Sequence, residues 1–77
     1  MNMKSIAYRL QKALCERGRY IKINQVQSYI AESNRMVTKY MLIETEEIDG
    51  RNKNTTILET YKFVEVVQTL ADIYGGG

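Results

Sequence analysis

The chain has 77 residues, with 44% hydrophobic and 26% charged side chains and a formal net charge of +2. That length gives one domain with a small core. The single cysteine, Cys15, excludes an internal disulfide, and the absence of histidine removes the commonest transition-metal ligand and general base.

Residues 2–17 read as an amphipathic helix, with Ile6, Ala7, Leu10, Ala13 and Leu14 at helical spacing. Asn2 is placed to cap its start, and Gly18 follows Arg17 where a helix would end. Residues 20–30, YIKINQVQSYI, predict a first strand, AESN a turn, and residues 35–47 a second strand rich in β-branched and aromatic types. DGRNKN, residues 49–54, predicts a turn, leaving a short third strand over 55–60. Residues 61–74 predict a second helix with Thr60 as its cap. Val64, Val67, Leu70, Ala71 and Tyr74 line one face, widened by Phe63, Val66 and Ile73. Its β-branched residues favour a strand, but the spacing and length favour a helix. The expected organisation is one α+β domain over 1–74, ordered αβββα, with a disordered glycine tail at 75–77. An antiparallel three-stranded meander with both helices on one face is the economical packing.

The second strand does not say which of its faces is inside. Val37, Met41 and Ile43 lie on one side, and Met36, Tyr40 and Leu42 on the other. Unless a β-bulge mixes the two sets, one of them points away from the helices. Uncovered apolar residues of that kind mark binding surfaces. The expectation is a partner-binding site of Tyr29, Met36 and Tyr40 as anchors, with Arg35 and Lys39 as charged contacts. The same open face, or an edge strand, could instead pair two copies into a homodimer.

Charge is unevenly placed. Residues 1–40 hold eight basic side chains against Glu16 and Glu32, and residues 41–77 hold three against seven acidic ones. These segments either form separate basic and acidic faces or pair across the sheet. Lys4, Lys12, Arg17, Arg19 and Lys22 form the alternative, nucleic-acid-binding set, with Tyr8 between the first two on the helix.

Little else points to chemistry. Glu44 and Glu46 share a strand face but have no nucleophile or electrophile beside them, so an enzyme is not expected. The DGRNKN turn lacks the acidic residues of a calcium loop. No Gly-rich phosphate loop occurs, so neither cofactor nor metal is expected. Cys15 reads as a small core or boundary residue. No signal peptide or membrane-length apolar run is found, so a cytoplasmic location away from membranes is the expectation.

The element order is similar to that of the double-stranded-RNA-binding domain. That family opens its second helix with a lysine cluster, whereas this chain reads YKFVEVVQ, with Lys62 alone and Glu65 nearby. The RNA-binding function is therefore not carried over. Through AYRLQKAL, RMVTKY and LETYKFVEVVQTLADIY the chain resembles small proteins carried by phages and mobile elements of Gram-positive bacteria. That resemblance implies a host bacterial cell and an anti-defence role of the anti-CRISPR kind. The expected partner is then a larger bacterial protein such as a defence nuclease, blocked sterically.

Overall fold

In the computed structural model, residues 2–76 are described, in the order α1 (Met3–Glu16), β1 (Tyr20–Ile30), β2 (Arg35–Ile48), β3 (Arg51–Thr60) and α2 (Phe63–Gly76). The expected αβββα order holds. The strands form one antiparallel sheet in the order β1-β2-β3.

Local chemistry sets the boundaries. Asn2 Oδ1 accepts from the Ser5 amide at 2.8 Å, capping α1. At the other end the Gly18 amide donates to the Cys15 carbonyl and the Arg19 amide to the Leu14 carbonyl, both at 2.9 Å. This double closure is a Schellman motif, which requires the left-handed backbone that Gly18 adopts at φ 85°. The β1–β2 loop ends on Asn34 at φ 51°, where Asn34 Oδ1 accepts from the Tyr29 hydroxyl at 2.6 Å.

The DGRNKN stretch departs from expectation. Asp49 and Gly50 alone make the turn, with φ of 52° and 76°. Two consecutive positive φ values are the type I′ geometry that suits a two-residue hairpin. β3 therefore begins at Arg51, directly opposite Ile48, rather than at residue 55. α2 also starts two residues later than expected, because Thr60 and Lys62 form its entry. Thr60 Oγ1 accepts from the Lys62 amide at 3.0 Å and bonds the Glu65 carboxylate. Thr60 is thus a buried bracket before the helix rather than its cap. Gly75 and Gly76, expected in the disordered tail, continue α2, and Gly77 lies outside the described residues.

The core is small. Ala7 and Leu14 of α1, Ile21 of β1, Leu42 of β2, and Val66 and Leu70 of α2 are buried, with Leu10, Ile23, Tyr40, Leu58 and Phe63 packed around them. The buried face of α2 is rotated from the expected one. Val66 and Leu70 are central, whereas Val64, Ala71 and Tyr74 are exposed. Burying these side chains against one end of the sheet leaves the rest of it uncovered. The radius of gyration is 14.2 Å, against about 11–12 Å for a compact chain of this length. The β1–β2 ribbon beyond residue 24 accounts for the excess, since Asn24–Tyr29 and Ala31–Met36 are exposed throughout.

Candidate functional site: the uncovered sheet face and the β1–β2 ribbon

Register decides which side of β2 faces the helices. The loop at 31–34 pairs Ile30 with Arg35, which places Ile23 opposite Leu42. Leu42 also lies opposite Leu58 of β3. Ile23, Leu42 and Leu58 therefore share the helix-covered face, since directly opposed residues in an antiparallel pair point the same way. Tyr40 shares it too, with its ring centroid 5.0 Å from that of Phe63 on α2. A bulge is present, but it falls between Leu42 and Ile43 on the β3 side, where Ile57 is the extra residue. It brings Ile57 to the core alongside Leu58 and leaves the alternation of β2 intact.

Val37, Met41 and Ile43 consequently lie on the face that none of the described helices covers; each is half-buried, and Lys39 sits between Val37 and Met41. Val26 of β1 lies opposite Lys39 on that face and is 46% exposed. Lys22, opposite Ile43, and Arg35, one alternation before Val37, flank this set. Lys39 reaches across to Glu59, Nζ to Oε2 at 2.8 Å. The hydrogen bond from Lys39 to Glu59 holds the ammonium pKa above its ordinary value. Both partners remain substantially exposed, so the pair organises the surface more than it stabilises the fold.

The five expected partner-binding residues are split by this geometry. Arg35 and Lys39 are on the uncovered face. Tyr29 and Met36 oppose each other on the other face of the ribbon, beyond the reach of the helices, and are 60% and 57% exposed. Tyr40 is not a free anchor, because it is half-buried and packs on Phe63 against the core. Val37, Met41 and Ile43 themselves were missed by the expected set. The missing signal is arithmetic: β1 alternates cleanly around Ile21 and Ile23, and a four-residue loop carries that parity onto Leu42.

β2 is longer than either neighbour. β3 leaves it at Tyr40, so Arg35–Lys39 have no strand on that side. A hollow there is lined by Ile30, Arg35, Met36, Thr38 and the exposed Tyr61.

The nucleic-acid set is also divided. Arg19 makes a two-pronged contact with Glu44, both hydrogen bonds at 2.9 Å. Those bonds raise the Arg19 pKa and hold the Glu44 carboxyl below the ordinary carboxylate range. Arg17 sits 3.9 Å over the Tyr74 ring and donates to the Tyr74 carbonyl at 2.8 Å, tying the end of α1 to α2. Lys4 and Lys12 are exposed on α1, and Lys22 is exposed on the edge strand. The charge asymmetry is thus partly cancelled, through Arg19–Glu44 and Lys39–Glu59, between the basic and acidic segments.

Glu46 lies opposite Lys53 and is exposed, so the two candidate carboxylates do not form a pair. Cys15, expected at a core boundary, is exposed as a free thiol. Among the described residues no three His, Cys, Asp or Glu side chains converge as a metal site, and no helix is long and apolar enough to cross a membrane. No protein-family model, no curated protein and no solved structure matches this chain.

Proposed function

We propose that the protein is a non-enzymatic binding module that docks a larger protein on its uncovered sheet face. One observation carries this reading: the half-buried Val37, Met41 and Ile43 lie outside the core on the side opposite both helices, with the Lys39–Glu59 pair among them and Arg35 and Lys22 at the ends. Apolar side chains interleaved with charge are the make-up of a non-obligate protein interface, which is about as apolar as the rest of a protein surface. The ribbon adds Tyr29 and Met36 on its reverse side, so a partner that grips the hairpin from both sides gains two more apolar contacts. A stable interface covers about 800 Å² per partner. The chain exposes 5701 Å² in total, so one such contact would take a large share of its surface and suits a steric mode of action.

The resemblance of three sequence segments to phage and mobile-element proteins supplies the partner class: a bacterial defence nuclease in the host cytoplasm. Nucleic-acid binding is the weaker reading, because Arg17 and Arg19 are engaged within the chain. Capture from bacterial lysate, with wild type and a Val37→Asp/Met41→Asp variant in parallel, tests the docking face. The supporting result is a defence nuclease retained by wild type, inhibited by it when purified, and released by the variant. Retention by both proteins would refute the face. A gel shift at low salt that the Asp variant leaves unchanged would favour nucleic acid instead.

A further inference from the structure

We infer that β1 pairs antiparallel with β1 of a second copy about a two-fold axis at Val26, joining two sheets into one of six strands. This inference is independent of the docking face, which both copies would present on the same side of the joined sheet.

Gln11 Nε2 donates to the Ile21 carbonyl at 3.0 Å, so that carbonyl points away from β2. In an extended strand the N–H and C=O of one residue point the same way, and the direction alternates along the chain. Ile23, Gln25, Gln27 and Tyr29 therefore also aim their backbone groups at the free edge. Among the described residues no strand covers that edge beyond Ile21, because β1 pairs with β2 alone there.

Proteins ordinarily protect such an edge with charge, proline, a bulge or shortness. β1 has none of these in its outer half. It is 11 residues long, its only charge is Lys22, and the sheet's one register shift lies between β2 and β3.

A two-fold at Val26 sets Ile23 against the partner's Tyr29 and Gln25 against the partner's Gln27, giving about eight backbone hydrogen bonds. The two copies of Val26 meet on the uncovered face, and Lys22 faces the partner's Ile30, so no like charges are opposed. The ladder stops at Ile23, where Gln11 already occupies the next carbonyl.

Charge complementarity then extends the contact. The partner's strand ends at Ile30, opposite Lys22, so its turn at residues 31–34, which carries the exposed Glu32, lies by the start of β1. That position borders a groove between α1 and the β1 edge, lined by Tyr8, Gln11, Lys12, Tyr20 and Lys22. Among the described residues neither Lys12 nor Lys22 has an ion-pair partner within the chain.

Sedimentation velocity over a dilution series reaching about 1 mM tests this. Wild type should sediment at twice the monomer mass. Gln25→Pro removes an outward N–H without touching the β1–β2 ladder, a placement proline tolerates on an edge strand. Val26→Lys sets two ammonium groups together at the axis while altering only an exposed side chain. Each should raise the dimer dissociation constant by at least about ten-fold with the circular dichroism spectrum unchanged. Should the proline variant fail to fold, Val26→Lys decides. Val37→Asp/Met41→Asp should leave the dimer intact, which separates this test from that of the docking face. A wild type that stays monomeric throughout, or a dimer that Val26→Lys leaves unaffected, would overturn the inference.

Discussion

Truncating neighbouring residues of β2 should have opposite consequences. Leu42 is fully buried, with Ile23 and Leu58 on either side in the sheet and Val66 and Leu70 in the same core. Leu42→Ala removes its branched end and leaves a cavity that the other five buried side chains of the core cannot readily collapse to fill. Such changes cost about 2–5 kcal/mol. The whole chain, at about 0.05–0.15 kcal/mol per residue, holds only about 4–12 kcal/mol. A loss of about 3 kcal/mol lowers Tm by about 12–24 °C in a domain of this size. Met41→Ala, one residue earlier, shortens a half-buried side chain on the uncovered face and should cost clearly less than Leu42→Ala. Urea unfolding followed by circular dichroism, with the two variants and wild type at one protein concentration, gives both numbers. Equal losses, or a larger loss for Met41→Ala, would refute the assignment of faces on which everything about the docking surface rests.

Three further outcomes follow from particular contacts. Tyr40→Ala should lower stability by about 2–4 kcal/mol, since its ring packs on Phe63, and urea melts would show it as a folding defect before any binding is measured. Gly18→Ala should cost about 1 kcal/mol from left-handed backbone strain alone, because an added Cβ meets nothing within 4 Å; an unchanged Tm would contradict the Schellman closure. The third concerns pH. Arg19 holds the Glu44 carboxyl below its ordinary pKa, so that stabilisation is present above the ordinary carboxylate range and is lost as pH falls through the folded value. Arg19→Ala should cost about 1–2 kcal/mol at neutral pH, the half-exposed arginine limiting the gain. The gap between the two urea curves should close on acidification, and a gap that widens would contradict the sign.

Most of the fold was legible because its punctuation is chemical. Asn2, Gly18, the AESN loop and Asp49-Gly50 each impose a backbone geometry, and the elements between them follow. The start of β3 was not legible. Arg51–Thr56 are exposed, so Asn52, Lys53 and Asn54 carry no apolar alternation and read as loop. Only their pairing with β2 makes them strand. The candidate site was less legible. Composition marks Arg35 and Lys39 as charged contacts and Tyr40 as an anchor without saying which face each one is on, because basic and aromatic character look the same on either side of a strand; in the fold Tyr40 packs on Phe63. What separates the sides is register, and Ile23 opposite Leu42 supplies it.

The most direct test of the docking surface compares capture by wild type and by Val37→Asp/Met41→Asp, after urea melts have shown that both are folded. The charged variant should stay folded, with a single cooperative melt, and lose the bacterial protein that wild type retains. A variant that is folded and holds the same protein equally well would contradict the docking surface.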